Sequence, residues 1–176
     1  MRDVRLLGLA IRARWLGFAA LDAQGHLLDW GTIFYQRKRS NELKSAKKRL
    51  DGLLARINPS FVVIVLPSHS ANEKITAIRF ITRSLRSAAA SRSIRIIRLR
   101  RNAIHAAFAS YNARSKWEIA GALAKAFPEL AWKLPPERKI WTKEDPRMAI
   151  FDALAGSVAY YTTELGNAEC KSSIPD

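Results

Sequence analysis

The stretch Phe61-Val62-Val63-Ile64-Val65-Leu66 restricts the fold more than any other segment of the chain. Six consecutive apolar residues, four of them β-branched and none alternating with polar ones, describe a strand covered on both faces, as in the interior of a parallel sheet. A parallel neighbour is reached only through a crossover, so such a strand commits the chain to helices packed on the sheet. The flanking sequence supplies them. Upstream, behind Arg37-Lys38-Arg39, apolar residues recur at Leu43, Ala46, Leu50, Leu53 and Ile57, the spacing of one helical face, and Asn58-Pro59 stops the helix. Downstream, a second helix is predicted from residue 71 to about 87, with Ile75, Ile78, Ile81 (or Phe80) and Leu85 inward and Arg79, Arg83 and Arg86 outward.

Three β-like runs precede this unit, at 4–10, 15–21 and 27–35, joined by short connections that suit an antiparallel meander. Gly25 in the second connection supplies the positive φ that such hairpin loops require. After the second helix, residues 93–99 read as a strand, but Arg95 and Arg98 among its isoleucines place it at a sheet edge. Helical character resumes at about 102–109. It resumes again after Ser115-Lys116-Trp117-Glu118, whose serine and glutamate have the spacing of a capping box, and runs to about 127. A loop marked by Pro128, Pro135 and Pro136 leads to Asp145-Pro146, read as the N-cap and first turn of a last helix ending at about 164. That helix presents Met148, Phe151, Leu154, Ala155, Val158 and Tyr161 as its apolar stripe. One domain over 1–165 and a flexible C-terminal tail over 166–176 is the resulting organisation.

Charge narrows the function. Thirty Lys plus Arg against fifteen Asp plus Glu give a net charge of +15, a field that attracts polyanions. Between Glu73 and Lys116 there are eleven Lys or Arg and no acid but Glu73 itself. Such crowding repels itself unless an anion neutralises it, and the planar arginine fork suits phosphate. The residues named as nucleic-acid ligands are Arg79, Arg83, Arg86, Arg98, Arg100 and Arg101, joined by a second cluster with Arg37, Lys38, Lys47 and Lys48. A solvated face accounts for any one of them alone. A membrane partner is not expected, because no stretch approaches eighteen apolar residues and no lone basic amphipathic helix stands out. The single Cys170 excludes a disulfide framework or a cysteine zinc site, and no secretory signal opens the sequence, so a cytoplasmic protein is expected. Neither a phosphate-binding glycine loop nor a Gly-x-Ser-x-Gly elbow occurs.

At the residue level, Leu7-Gly8-Leu9-Ala10-Ile11 followed by Leu16-Gly17-Phe18-Ala19, together with Phe151-Asp152-Ala153-Leu154-Ala155 on the last helix, resembles the RuvC-like Holliday-junction resolvases of the ribonuclease-H-like superfamily. With the order of elements, the resemblance spans most of residues 4–165. It implies an α/β fold whose five-stranded mixed sheet has the order 3-2-1-4-5 and is flanked by helices. It implies also metal-assisted phosphodiester hydrolysis, in which carboxylates from the first strand, the end of the fourth and the last helix hold two magnesium ions, and a homodimer acting on branched DNA. This chain departs from that pattern. Ala10 stands where the first-strand carboxylate belongs, Leu66 or Pro67 at the fourth-strand position, and Ala149 one turn before Asp152.

Asp152 therefore has two readings, a metal ligand in need of company or a helix carboxylate solvated or paired with an arginine. Asp145, with Glu144 beside it, is the acid available to assist it in holding magnesium or manganese if the chain is an active nuclease; an N-cap is its simpler role. Three functions follow: a DNA-binding domain with a degenerate nuclease centre, an active metal-dependent structure-selective endonuclease, or a non-enzymatic cationic assembly or ribosome-associated factor. His26, His69 and His105 fall on separate elements, His69 near the expected active centre. Trp132 and Trp141 lie among Lys133, Arg138, Lys139 and Lys143, where they either stack on unpaired bases or anchor the loop.

Overall fold

Five strands form one mixed sheet in the order β3-β2-β1-β4-β5. They are β1 (Leu6–Ile11), β2 (Trp15–Leu21), β3 (Leu27–Phe34), β4 (Phe61–Val65) and β5 (Arg95–Leu99). The structure is a computed structural model describing residues 4–12, 14–35, 40–66, 72–139, 141 and 143–165, with backbone alone for 40–42, 72–77 and 164–165. The expected tail and Arg37, Lys38, Pro67 and His69 lie outside the described residues. β1 to β3 are antiparallel, whereas β4 runs parallel to both β1 and β5, with Ala10 opposite Val65 and Ile64 opposite Arg98. β5 is the edge that its arginines required: Arg95 and Arg98 are exposed there while Ile94 is buried.

Alternation along the strands sends side chains to two separate cores. Leu7, Leu9, Ile11, Val62 and Ile64 meet α1 (Ser40–Ile57) and α2 (Asn72–Arg92), where Ala46, Leu50, Leu53, Leu54, Ile81 and Leu85 complete one core. Leu6, Ala10, Val63 and Val65 point the other way, against α3 (Arg101–Phe108), α4 (Lys116–Ala126) and α5 (Met148–Tyr160). No helix among the described residues is long and apolar enough to cross a membrane.

Three boundaries differ from the sequence reading. α2 continues to Arg92 because Ala88, Ala89 and Ala90 extend it, and Ser93, in the left-handed region at φ 57°, turns the chain before β5. The proline-rich loop contains a 3₁₀ segment, Pro128–Lys133, that buries Leu130. α5 begins at Met148, since Asp145 and Pro146 form a separate turn in which Arg147 N–H donates to the Asp145 carboxylate at 2.9 Å.

α5 is also not the one-striped helix expected. Ala149, Ile150, Ala153, Gly156, Ser157 and Ala159 are buried as well as the large residues, because α3 and α4 cover the side that the sheet does not. Its small residues let the helix lie on the strands at backbone distance. A Cβ added to Gly8 would fall 2.1 Å from the Ala153 carbonyl oxygen, and one added to Gly17 would fall 2.2 Å from that of Ala149. This close approach fixes the position of Asp152 beside the ends of β1 and β4.

Candidate nucleic-acid interface

The C-terminal ends of β1 and β4 meet α5 at a point where the sequence places few oxygens. Ala10 is fully buried, Ala149 packs against Gly17, and Leu66 is half-buried after β4, its N–H donating to the Leu99 carbonyl at 2.9 Å. Asp152 is the acid of the resemblance motif, and its side chain is only 8% exposed. A carboxylate so buried needs compensating charge.

Three cations provide it. Arg12, just past β1, donates from its guanidinium to Asp152 and lies 3.6 Å through Nε from Glu144. Lys116, the first residue of α4, puts its ammonium 2.8 Å from Asp152 and also donates to Glu144. Arg101, the first residue of α3, lies 3.8 Å from the other Asp152 oxygen. Local structure holds each in place. The Arg12 carbonyl accepts from the buried Tyr35 hydroxyl and its N–H donates to the Trp15 carbonyl at 2.8 Å, while Lys116 follows Ser115 in a complete capping box with Glu118. Burial, reinforced by Arg12 and Arg101 and opposed by Asp152, pushes the Lys116 ammonium down to about 8. Burial also raises the Tyr35 phenol above its ordinary value, against the pull of Arg12.

Two carboxylates thus face three cations, and this donor set does not fit magnesium. The ion takes six oxygens in near-octahedral array, yet Ala10, Ala149 and Leu66 offer no side-chain oxygen, and Lys116 occupies the space between Asp152 and Glu144. Among the described residues no group of three or more His, Cys, Asp or Glu converges. Asp145, expected as the assisting acid, instead takes hydrogen bonds from its neighbour Arg147, at 3.0 Å from Nε and 2.7 Å from a terminal nitrogen, and these hold its carboxyl below the usual carboxylate pKa. The acid that joins Asp152 is Glu144.

The basic residues separate into groups. Arg79, Arg83 and Arg86 on α2 and Arg98 on β5 line one open cleft of about 720 Å³ with Leu66, Ile78, Phe80 and Thr82. Arg101 leaves that group for Asp152, and Arg100, exposed at the start of α3, lies between the two in sequence. On α1, Lys47 pairs with Asp51 at 2.6 Å and Lys48 is exposed. Of the histidines described, His26 contacts Asp22 at 3.0 Å and His105 lines a crevice beneath Asp152. Arg12 and Lys116 are the residues that the sequence reading did not assign to the site. Arg12 carries one faint signal, its place directly after the strand in which the resemblance puts a carboxylate.

The tryptophans divide too. Trp132 meets the edge of Trp30 at 6.0 Å with Lys133 4.2 Å above its ring, so it anchors the 3₁₀ segment on β3. Trp117 donates from its indole N–H to the Pro135 carbonyl at 3.0 Å. Trp141 is 81% exposed beside a groove of about 680 Å³.

No protein-family model and no curated protein matches the chain. Solved structures do. The Thermus thermophilus RuvC structure matches with a TM-score of 0.69 and 16% identity over 93% of this chain and 97% of that one. T. thermophilus RuvC in complex with a Holliday junction substrate matches with a TM-score of 0.65 and 14% identity, covering 90% and 94% respectively. With the strand order above, these likenesses establish a RuvC-like, ribonuclease-H-like fold.

Proposed function

We propose that this RuvC-like fold serves a protein that binds nucleic acid, DNA in preference to RNA and branched or duplex in form, and that its metal centre has been replaced by fixed side-chain cations. The observation that carries the proposal is the engagement of Asp152 by Arg12, Lys116 and Arg101. In an active resolvase that carboxylate would face divalent metal; here the positive charge is built into the chain. Fixed cations attract and orient a phosphate as a metal does. They do not supply a metal-bound hydroxide, so the grip survives without the cut. The cleft of Arg79, Arg83, Arg86 and Arg98 extends the cationic surface from Leu66 along α2 and β5. It provides contacts that read shape and phosphate position rather than base identity.

The test is binding of a labelled four-way junction, duplex and single strands across salt, in EDTA and in magnesium or manganese. Affinity should be the same with and without metal. It should fall with salt, and charge reversal of all four cleft arginines should flatten the slope of log affinity against log salt by about 0.9 for each phosphate that the variant no longer neutralises. Metal-dependent products that vanish in Asp152→Ala would overturn the reading. They would instate a magnesium- or manganese-dependent endonuclease, which the convergence of Glu144 and Asp152 on one ammonium favours. Equal, weak binding to every polyanion would instead indicate a cationic assembly or ribosome-associated factor. The homodimer carried by the family resemblance belongs to the same proposal and is read by light scattering.

A further inference from the structure

We infer that the groove between the start of α4 and the 135–145 loop seats one unpaired nucleotide of a branched or opened DNA strand, its base stacked on Trp141 and its phosphate met by Lys139 and Lys143. The inference rests on the nucleic-acid reading above and adds what part of the substrate is recognised. The groove measures about 680 Å³, within the range of pockets that hold single small ligands. Trp117, Pro135, Pro136 and Trp141 supply its apolar lining. The Trp117 ring is fixed by its bond to Pro135, whereas Trp141 keeps 81% of its surface in water, with the Lys139 ammonium 5.9 Å from its ring centre.

Trp132 provides the internal contrast. It comes from the same proline-rich region and is also exposed, but its ring is engaged by Trp30 and Lys133 and so has a structural use. For Trp141 the described residues show no second ring. A large flat apolar face with ammonium groups beside it matches a base and its phosphate, since every base offers a π-face whatever its sequence.

Charge selects the same occupant. Two acids on the groove wall are already engaged, Glu144 by Lys116 and Asp145 by Arg147, so that Arg138, Lys139 and Lys143 outweigh the remaining Glu137. An acidic peptide would satisfy the cations but gives the indole no planar partner. A fully paired duplex keeps its bases stacked internally, leaving an unpaired base at a branch point as the occupant. The groove ends at Lys116 and Glu144, and a strand lying in it would reach the Asp152 cluster with its next phosphate.

The experiment uses the full chain with two four-way junctions, one fully paired and one carrying an unpaired 2-aminopurine at the branch, tested with the wild type, Trp141→Ala, Trp141→Phe and Arg83→Glu. Wild type should quench 2-aminopurine and prefer the unpaired junction. Trp141→Ala should abolish the quench and lower affinity for that junction on the order of tenfold, the usual loss for one base–aromatic stack. Affinity for the paired junction should stay unchanged, and Trp141→Phe should retain most of the effect. If Trp141→Ala leaves quench and preference intact, the inference is wrong; a loss of junction binding in Arg83→Glu would then still uphold the phosphate reading. Failure of every nucleic acid to bind would remove both. Protection of Trp141 from acrylamide by polyglutamate, equal to that given by the unpaired junction, would assign the groove to acidic peptides and overturn the inference.

Discussion

Asp152→Asn keeps the shape of the side chain and removes the charge that holds Arg12, Lys116 and Arg101 in one cluster. The Arg12 and Asp152 side chains are 10% and 8% exposed, so the pair is buried. Removing one member of a buried pair costs about 3–5 kcal/mol, because the surviving charge stays desolvated without its counter-ion. The two arginines cannot escape by losing a proton. Lys116 can: burial already places it at about 8, and Asp152 is the chief group holding it up. Its discharge near neutral pH costs about 1.4 kcal/mol for each unit between pH and pKa, which caps the penalty from that residue, and Glu144 still offsets part of the charge on Arg12. The expected loss is therefore near the lower bound, about 3 kcal/mol, or roughly 6–12 °C in Tm for a domain of this size. Thermal and urea unfolding of both proteins, in EDTA and in magnesium, measure it. A metal cage behaves in the opposite way, since clustered acids repel without metal, so removing one raises Tm and erases stabilisation by magnesium. A higher Tm in Asp152→Asn, or a magnesium-dependent rise confined to the wild type, would refute the assignment of this cluster as a cationic replacement.

The sheet was legible because its signals are local. The unbroken run at Phe61, the arginines that forced β5 to an edge and the helical spacing of Leu50 and Leu53 each need only a few neighbouring residues to be read. α5 was half legible: its large residues mark a stripe, but the small ones are buried through Gly8 and Gly17 on other strands, a pairing that only the fold reveals. The site was least legible. Asp152 and Arg12 are 140 positions apart, and an ion pair across that interval leaves no periodic trace. Lys116 was absorbed by the capping box in which it sits, and Arg101 by a row of surface arginines. Arg79, Arg83 and Arg86 could be grouped beforehand because one helix face spaces them; Arg98 joins them through the parallel register of β5 with β4.

Gly17→Ala should be poorly tolerated, because its Cβ would lie 2.2 Å from the Ala149 carbonyl oxygen and neither backbone can yield without moving α5. A loss of about 3 kcal/mol or more, or failure to recover folded protein, is expected in a melt, and an unchanged Tm would contradict the packing described. Ser115→Ala removes the hydroxyl that accepts from Glu118 N–H at 3.1 Å and should cost about 1 kcal/mol by urea unfolding, with no change in junction binding. The pH dependence of Lys116 tests its burial directly. Its folded value of about 8 lies below the unfolded 10.5, so between those limits the unfolded chain holds more protons and stability from this group rises with pH; below 8 the penalty is constant. The stability difference between wild type and Lys116→Met should therefore shift in favour of the wild type by roughly 3 kcal/mol from pH 7 to pH 11. Tyr35, raised by burial, titrates in the opposite sense but does so in both proteins and cancels from the difference. Over the same interval the cluster loses one cation, so wild-type affinity for DNA should decline above pH 8 while Lys116→Met shows no such step. Parallel stability profiles in the two proteins would mean that Lys116 is solvated and that the cation wedged between Asp152 and Glu144 is not what excludes a metal there.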